Sequence, residues 1–345
     1  MKLRCRLVNN KGRVLFCSFG SDEVVYINEI KKKSLIFGGG KECLRAGLTI
    51  NASGTVYAIT GDQDYIKSSK KFVAAIDSLS DTLEAFETIS NDHQEKLNIN
   101  TSRLLHNLTT LNAHNIQEIY SLVPQEILSK VPASKQISVV EKVVIDDPKD
   151  TAFALLRIAK NNAAMKTEFS VFNKLFDPNP RLEKKSHNVH KVLMNVLYLF
   201  FPDFTDKHVL VTLDCPENTI AYFDYESIHV AMYHLIENAV KYVQPHSNFN
   251  INITPLNEVV ILLFEMTSLA ISEEERLNIF EEGYSGVIAK KTGKSGSGIG
   301  MTRAKAILGI NGASISLEIC PQTLHEYKGI PYQNNIFKIS LKSNK

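Results

Sequence analysis

Residues 67–130 contain no glycine and one proline, so this stretch is constrained to be helical more strongly than any other part of the chain. Its apolar residues recur at steps of three and four, regularly at first and then less regularly, at Ile76, Leu79, Leu83 and Phe86 and then at Leu97, Leu104, Leu108 and Leu111. The pattern predicts one long helix, from residue 67 to about residue 126, that buries a single apolar stripe. Because such a helix is not stable alone, it needs a partner helix.

A second helix is expected over residues 150–176, and it is one candidate for that partner. Asp150 or Thr151 would be its N-cap, because short side chains with an oxygen bind the free N–H groups of a first helical turn. Its predicted buried positions are Phe153, Leu156, Phe169, Phe172 and Phe176. The other candidate is a second copy of the long helix. A helical hairpin from each of two chains would form a four-helix bundle, which predicts a homodimer.

The regions on either side of these helices have different patterns. Residues 3–59 alternate short apolar runs with turn residues, which predicts a small β-rich module. After Pro180, strands and helices are mixed without the regular alternation of a doubly wound sheet, which favours an α/β sandwich. Its expected strands are 208–213, 219–223, 248–253, 259–264, 313–319 and 336–341, with helices near 227–242, 273–281 and 299–308. The sequence therefore predicts a multidomain protein with boundaries at 1–65, 66–180 and 181–345.

Composition limits the partners and the location of such a protein. The 345 residues suffice for two or three domains, and 44% hydrophobic residues with a formal charge of +2 are typical of a globular protein, not of a nucleic-acid binder. The best candidate for a membrane segment, residues 192–201, is too short, and the first residues lack the apolar core of a signal peptide. A cytoplasmic location without a membrane segment is therefore expected.

The five cysteines are scattered, and no histidine lies at a metal-ligand spacing from them. Reduced thiols are the simplest interpretation. A turn at residues 9–12 would place Cys5 and Cys17 nearly opposite each other, which makes a redox switch at this pair an alternative. Disulfides are rare in the cytosol, which argues against it.

The strongest chemical signal is a run of closely spaced glycines that opens a predicted helix, Gly296-Ser297-Gly298-Ile299-Gly300-Met301. Glycines let backbone N–H groups approach phosphate oxygens, and the N-terminus of the helix favours negative charge. Since many turns contain two or three glycines, the run alone is weak evidence. It is not the dinucleotide fingerprint, because no predicted strand directly precedes it.

A second signal lies on the predicted helix at residues 227–242. Asn238 and Lys241 are three residues apart and project from one face of that helix. An amide oxygen can bind Mg²⁺ and an ammonium can bind a phosphate, so this face meets both requirements of MgATP. An amphipathic helix with a solvated polar side would explain these residues, but it would not explain the glycine run.

Between these two signals, residues 279–286 read Ile-Phe-Glu-Glu-Gly-Tyr-Ser-Gly and lead into the basic, glycine-containing stretch 289–296. Such a stretch is typical of a lid over a triphosphate. The asparagine helix, this turn, the flexible stretch and the glycine run resemble the ATP-binding domain of sensor histidine kinases, within the wider class of gyrase and Hsp90-type ATPases. The resemblance covers about residues 188–342 and is specific, because three motifs agree in order and spacing.

The resemblance implies ATP and Mg²⁺ as cofactors, with Asn238 as the metal ligand. The residues that it implies for nucleotide binding are Asn238, Lys241, Tyr242, Met266, Ser268, Gly296, Gly298, Ile299, Gly300 and Met301. The family has an Asp-x-Gly-x-Gly run whose carboxylate binds the adenine amino group, but this chain has Met-Thr-Ser-Leu-Ala at 266–270. Glu265 is adjacent, and the alternation of a strand predicts that it points to the opposite side.

The long helix upstream contains a run that resembles the phosphoacceptor box of the family, Arg103-Leu104-Leu105-His106-Asn107-Leu108-Thr109-Thr110-Leu111. The resemblance implies that His106 is the nucleophile toward the γ-phosphorus. Asn107 stands where the family has an acidic residue; an amide can orient an imidazole but is a poor base. Thr110, one turn after His106, matches the position that in the family helps water to remove phosphate from the partner regulator. His93 and His114 are competitors, but neither is followed by the Leu-x-Thr-Leu pattern.

The family implies autophosphorylation of His106 from MgATP in a homodimer, followed by transfer to an aspartate of a separate response regulator. A pseudokinase or scaffold of the same fold is the first alternative, supported by Met266 and Asn107. A hydrolytic ATPase of the gyrase class is the second, but such enzymes place a glutamate where this chain has His234, which argues for transfer. The β-rich module would be an input domain by position alone. The sequence leaves open whether phosphorylation occurs within one chain or between two.

Overall fold

An antiparallel sheet of five strands forms the start of the chain in the computed structural model, which describes residues 3–38, 43–177, 180–216 and 218–343. Its strands are β1 (Arg4–Asn9), β2 (Val14–Cys17), β3 (Leu35–Phe37), β4 (Leu44–Asn51) and β5 (Gly54–Thr60), with a 3-10 turn at Val24–Asn28. Their order across the sheet is β2-β1-β5-β4-β3. The sheet belongs to the first of two compact units, Met1–Ile99 and Asn100–Lys345.

The turn between β1 and β2 does not bring the two cysteines of the possible redox switch face to face. Cys17 pairs with Arg6, so Cys5 and Cys17 lie on opposite faces of the sheet. Cys5 is buried and Cys17 is exposed. The redox alternative is therefore wrong. The reason is a bulge beside Leu7 that shifts the pairing register by one residue.

The predicted long helix is divided into α1 (Gln63–Lys67), α2 (Ser69–Asp81) and α3 (Leu83–Leu122). The prediction of one unbroken helix from residue 67 is therefore wrong. The hydroxyl of Ser68 accepts a hydrogen bond from the N–H of Lys71 and caps α2. The hydroxyl of Thr82 donates to the carbonyl of Leu79 at the end of α2. Hydroxyl side chains that bind the nearby backbone compete with the continuation of a helix.

The apolar stripe of α2 and of the start of α3 packs against the sheet. Ile76 and Leu83 are buried in one cluster with Leu7 and Val56. The expectation that this part of the stripe needs a partner helix is therefore wrong. A spacing of three and four residues indicates that one face is buried, but it does not indicate what covers that face.

In the second unit, α3 continues from residue 100 and is followed by three helices, α4 (Gln125–Lys130), α5 (Ala133–Asp146) and α6 (Pro148–Val171). A π-helical turn, Phe172–Phe176, ends α6. The sequence does not predict α4 and α5. The N-cap of α6 is Asp147, which accepts a hydrogen bond from the N–H of Asp150, so the predicted caps Asp150 and Thr151 are wrong. Pro148 at the first helical position sets the earlier start.

Polar side chains connect α3 with α6. Asn115 Nδ2 donates to Asn162 Oδ1 at 3.0 Å, and Arg157 Nε lies 2.8 Å from Glu118 Oε2. The two helices therefore form a hairpin with a longer, helical connection. Of the residues predicted to be buried on α6, Leu156 is 45% and Phe169 is 49% exposed in the single chain, so their burial in a bundle of two hairpins stays a prediction.

Seven strands follow in the second unit. They are β6 (Lys184–Asn188), β7 (Leu210–Asp214), β8 (Ile220–Asp224), β9 (Asn248–Leu256), β10 (Val259–Leu269), β11 (Ser314–Tyr327) and β12 (Ile330–Lys342). Five of them form a sheet of order β11-β12-β10-β9-β7, in which β7 and β9 are parallel and the other pairs antiparallel. β6 and β8 form a two-stranded sheet.

The helices between these strands are α7 (Val189–Asp206), α8 (Tyr225–Tyr242), α9 (Glu275–Asn278), α10 (Val287–Lys291) and α11 (Gly300–Ile310). Alternate residues of β10, from Val260 to Met266, are buried in one core with residues of α7, α8 and α11. Helices therefore cover one face of the five-stranded sheet. The helix predicted at 273–281 is shortened to α9, and α10 occupies part of the predicted lid. None of the helices in the described ranges combines the length and the apolar character of a membrane span.

Candidate functional site

A cavity of ≈300 Å³ lies between α8, the end of β10 and the glycine run. Nine of the ten residues implied for nucleotide binding line it, namely Asn238, Lys241, Tyr242, Met266, Ser268, Gly296, Gly298, Gly300 and Met301. Ile299 is the tenth; it is the N-cap residue of α11 and lies outside the cavity lining. The fold thus brings together three segments that are far apart in the sequence.

α8 holds Asn238 and Lys241 at the cavity because its apolar face is fixed in the core, with Leu235 and Ile236 fully buried. No group of the described residues hydrogen-bonds the amide of Asn238. Likewise, within the described ranges no carboxylate pairs with the ammonium of Lys241. Both polar groups are therefore available to a ligand.

The N-terminus of α8 is fixed by Asp224, whose carboxylate accepts hydrogen bonds from the N–H and the hydroxyl of Ser227. Lys174, in the π-helical turn, lies 3.1 Å from the other carboxylate oxygen. Burial alone would raise the pKa of Asp224, but the hydrogen bonds from Ser227, Glu183 and Lys174 hold that pKa below its ordinary value. The charged cap connects the end of α6 with the start of the helix that carries Asn238.

The glycines allow a close approach of the backbone to these side chains. A Cβ atom on Gly296 would lie 2.6 Å from Lys241 Nζ, and one on Gly300 would lie 3.8 Å from Asn238 Nδ2. A residue larger than glycine at position 296 would therefore fill the space in front of the ammonium, whereas a Cβ at position 300 would make only ordinary contact with the amide. This space between backbone N–H groups, an ammonium and an amide is what a magnesium-bound polyphosphate requires.

Gly298 is required by its backbone conformation. Its φ of +68° is strained for residues with a side chain, and a Cβ atom would lie 2.4 Å from the carbonyl oxygen of Tyr284. The N–H of Gly283 donates to the carbonyl of Gly298 at 3.1 Å. Directly after Gly298, α11 begins without a side-chain cap, so its first N–H groups can bind an anion.

A residue that the sequence reasoning missed, Glu275, organises one wall of the cavity. Its Oε1 accepts hydrogen bonds from the N–H of Val287 at 2.7 Å and from the hydroxyl of Tyr284 at 3.0 Å. Its Oε2 accepts from the N–H of Ser272 at 3.1 Å. Burial alone would raise the pKa of Glu275, but these hydrogen bonds lower it below the ordinary value. Tyr284 itself lines the cavity.

At the other end of the cavity, Met266 and Ser268 lie on the buried side of β10, whereas Glu265 lies on the opposite side. Glu265 accepts a hydrogen bond from Asn334 at 2.7 Å, which confirms its predicted direction. Ser268 Oγ accepts a hydrogen bond from Asn335 Nδ2 at 2.8 Å. This end of the cavity therefore has a thioether and a hydroxyl that is hydrogen-bonded to an amide. Of the described residues that line the cavity, Glu237 alone carries a carboxylate.

His234 is buried below Gly300. A Cβ on Gly300 would lie 3.5 Å from its Nδ1, and Glu237 Oε2 lies 3.6 Å from the same nitrogen. Neither ring nitrogen of His234 has a hydrogen-bond partner among the residues described. Where the gyrase class has its water-activating glutamate, this chain therefore has a buried imidazole.

The residues of the phosphoacceptor box lie on α3, where His106 and Thr110 are exposed and Asn107 is half-buried. Thr110 Oγ1 donates to the carbonyl of His106 at 3.0 Å, one helical turn away. His106 is therefore accessible to a phosphoryl donor. Its competitor His114 lines a separate cavity with Glu118 and Arg157.

The chain has sequence relatives among sensor proteins and histidine kinases, although no protein-family model matches it. The sensor protein VanSC of Enterococcus gallinarum is 28% identical over 143 residues, which are 41% of this chain and 39% of that protein. Histidine kinase P4 of Formosa agariphila is 25% identical over 150 residues, which are 42% of this chain and 11% of that protein. The match spans about two fifths of the first relative and about a tenth of the second. The chain is a relative of the sensor histidine kinases.

Two solved structures of histidine kinases also match the chain. The catalytic domain of histidine kinase ThkA matches with a TM-score of 0.39 and 16% identity over 48% of this chain and 100% of that one. The Acinetobacter baumannii histidine kinase AdeS matches with a TM-score of 0.38 and 17% identity over 70% of this chain and 98% of that one. The relationship rests on the sequence relatives, not on these structures.

Proposed function

We propose that the protein is a sensor histidine kinase that phosphorylates His106 with the γ-phosphate of MgATP. The observation that carries the proposal is the cavity in which Asn238, Lys241 and the glycine run meet. Among the described residues the amide of Asn238 has no hydrogen-bond partner, the ammonium of Lys241 has no carboxylate partner and the N-terminus of α11 has no side-chain cap. Groups of this kind bind a magnesium-bound triphosphate.

In this proposal Asn238 is the ligand of Mg²⁺, and Lys241 and the N–H groups around Gly296, Gly298 and Gly300 bind the phosphates. Tyr242, Met266, Ser268, Ile299 and Met301 complete the nucleotide site. The metal ion neutralises charge on the transferred phosphoryl group when it is bound. Since phosphoryl transfer needs mainly position and electrostatic stabilisation, the contribution of these residues is to hold and orient the triphosphate.

His106 is the proposed nucleophile because a neutral imidazole carries a lone pair that can attack the γ-phosphorus. Asn107 would orient the imidazole. Thr110 would position the water that removes the phosphate from the response regulator. A separate response regulator would then take the phosphoryl group on an aspartate. The β-rich module is the proposed input domain.

A homodimer is part of the proposal, as the family implies. The single chain leaves large apolar side chains of α3 and α6 exposed at helical spacing, among them Ile116, Ile119, Tyr120, Leu155, Leu156 and Phe169. An exposed set of this kind on two paired helices fits the bundle in which two hairpins cover one another.

One observation favours a second candidate function, a scaffold that signals without using ATP. Met266 occupies the position of the adenine-binding carboxylate and is buried at the cavity. A hydrolytic ATPase is disfavoured, because His234 stands where that class has its glutamate. Incubation with ATP labelled at the γ-phosphate separates the proposals. A kinase takes up label that is lost in acid and survives in base, a scaffold takes up none, and a hydrolase releases labelled phosphate without retaining it.

A further inference from the structure

Ion pairs connect α3 and α6 with the part of the second unit that forms the cavity. Arg103 Nη1 lies 2.8 Å from Glu282 Oε1, and Arg303 Nη1 lies 2.7 Å from Glu168 Oε1. A further ammonium, that of Lys160, lies 2.7 Å from a carboxylate oxygen of Asp203.

The Arg103–Glu282 pair links the phosphoacceptor box with the rim of the cavity. Arg103 precedes His106 by three residues, so the two side chains are neighbours on one face of α3, with Cβ atoms roughly 5–6 Å apart. Glu282 immediately precedes Gly283, which hydrogen-bonds Gly298 of the glycine run. The pair therefore places the helical turn that carries His106 beside the turn that hydrogen-bonds the glycine run.

The Arg303–Glu168 pair is a second connection between the cavity and the hairpin of α3 and α6. Arg303 is in the first turn of α11, directly after the glycine run, and Glu168 is on α6. Their side chains are 13% and 14% exposed, so solvent screens this pair much less than the Arg103–Glu282 pair. The orientation of the anion-binding end of α11 is therefore tied to the helix that pairs with α3.

We propose that the cavity phosphorylates His106 of its own chain, with Arg103 and Glu282 as the positioning residues. The inference rests on the function proposed above. In the step, the lone pair of an imidazole nitrogen of His106 forms a bond to the γ-phosphorus, while the bond from that phosphorus to the β,γ-bridging oxygen breaks. ADP leaves with the electron pair of the broken bond, and the proton of the imidazole passes to water.

Exposed ion pairs contribute little to stability. The role assigned to Arg103 and Glu282 is therefore to orient α3 relative to the cavity, not to stabilise the fold. Misplacement of a nucleophile by about 1 Å can cost about a hundredfold in rate. Breaking the pair should therefore lower the rate of phosphoryl transfer and leave nucleotide affinity unchanged.

Heterodimers with two different affinity tags decide between reaction within and between chains. In a dimer of His106→Gln with Asn238→Ala, transfer between chains labels the Asn238→Ala chain, whereas our proposal gives less than about a tenth of the wild-type label. The positive control pairs a wild-type chain with a chain carrying both substitutions, and here we expect label on the wild-type chain. Label on Asn238→Ala would overturn the proposal. If wild-type homodimers take no label, the proposed function itself fails, and this inference fails with it.

If the protein is monomeric, the dependence of the autophosphorylation rate on protein concentration decides between transfer within a chain and transfer between chains. Transfer within a chain gives a rate per chain that does not change with protein concentration. A rate per chain that rises in proportion to concentration would overturn the proposal.

Charge reversal tests the positioning pair. Arg103→Glu and Glu282→Arg should each lower kcat for autophosphorylation at least about tenfold with KM for ATP unchanged, and the double variant should return to within about threefold of wild type. The matched control is Arg276→Glu, which breaks a pair with Glu273 of the same 2.8 Å length and should leave kcat unchanged. Unchanged kcat in the single variants, an increase in kcat, or failure of the double variant to recover would contradict the assigned role.

Discussion

Glu275 and Val287 are joined by a hydrogen bond of 2.7 Å from the backbone N–H of Val287 to Oε1 of Glu275. The same oxygen accepts the hydroxyl hydrogen of Tyr284, whose side chain lines the cavity. A single carboxylate therefore fixes the turn at Tyr284 and the start of α10, and it does so at the wall of the proposed nucleotide site.

Replacement of Glu275 by glutamine should make the stability of the protein less dependent on pH. The hydrogen bonds lower the pKa of Glu275 in the folded state, so the carboxylate stabilises the fold fully above its unfolded-state pKa of about 4.3. This stabilisation is lost as the pH falls through the folded-state pKa. We expect Glu275→Gln to have a lower Tm than wild type between about pH 5 and 7, and the difference to shrink below about pH 4.

Thermal unfolding followed by circular dichroism at several pH values measures this effect. Glu273→Gln, at an exposed position nearby, is the control and should change Tm little at any pH. A difference between Glu275→Gln and wild type that stays constant down to the lowest pH would contradict the assigned role of the charge.

Asn238→Ala should weaken the binding of MgATP by at least about tenfold, because the variant removes the proposed metal ligand, and a lost hydrogen bond or ligand to a charged group costs about 1.5–3 kcal/mol. Isothermal titration calorimetry measures the affinity. Asn195→Ala is the matched control, since Asn195 is an exposed helical asparagine that contacts Tyr225 and does not line the cavity. Equal affinities of Asn238→Ala and wild type would place the nucleotide elsewhere.

Gly298→Ala should lower both Tm and nucleotide affinity. Its Cβ would lie 2.4 Å from the carbonyl oxygen of Tyr284, and the φ of +68° is unfavourable for alanine. The control is Gly309→Ala in α11, where a Cβ meets no atom within 4 Å. This second change should stabilise the helix by about 0.5–1 kcal/mol. Similar melting curves for the two variants would show that the glycine run is not constrained as described.

Discrimination between purines should be weak. Met266 has a thioether where the family has a carboxylate, so no charged group at this position accepts a hydrogen bond from the amino group of adenine. We expect ATP and inosine triphosphate, which lacks that amino group, to bind within about threefold of each other. Competition titrations measure the ratio. A preference for ATP above about thirtyfold would mean that another group recognises the amino group.

The parts of the site that the sequence predicts are those with local spacing. Asn238 and Lys241 share a helix face because they are three residues apart, and the glycine run precedes a helix whose start it defines. Glu275 has a local signal only for its bond with Ser272, three residues before it, whereas its bonds with Tyr284 and Val287 join residues 9 and 12 positions apart, which spacing does not predict. Only the folded turn makes that carboxylate part of the site.

Local spacing is an equally incomplete guide to the fold. The stripe through Ile76 and Leu83 correctly indicates a buried face, but its partner is a sheet that lies upstream in the sequence and contributes Leu7, Val56 and Ala58. The breaks at Ser68 and Thr82 depend on single hydroxyl groups that bind the backbone, which apolar periodicity does not register. The bulge beside Leu7 likewise moves Cys17 to the other face without any change in the alternation of the strand residues.

The most direct test of the account is the position of the phosphoryl group after incubation with ATP labelled at the γ-phosphate. Phosphohistidine is a phosphoramidate, so the label should be lost in acid and survive in base. His106→Gln should abolish labelling and leave the affinity for MgATP unchanged, since His106 lies outside the nucleotide cavity. His114→Gln, two turns further along α3, is the matched control and should keep the label. Label that persists in His106→Gln and disappears in His114→Gln, or nucleotide binding without any label in the wild-type protein, would contradict the account.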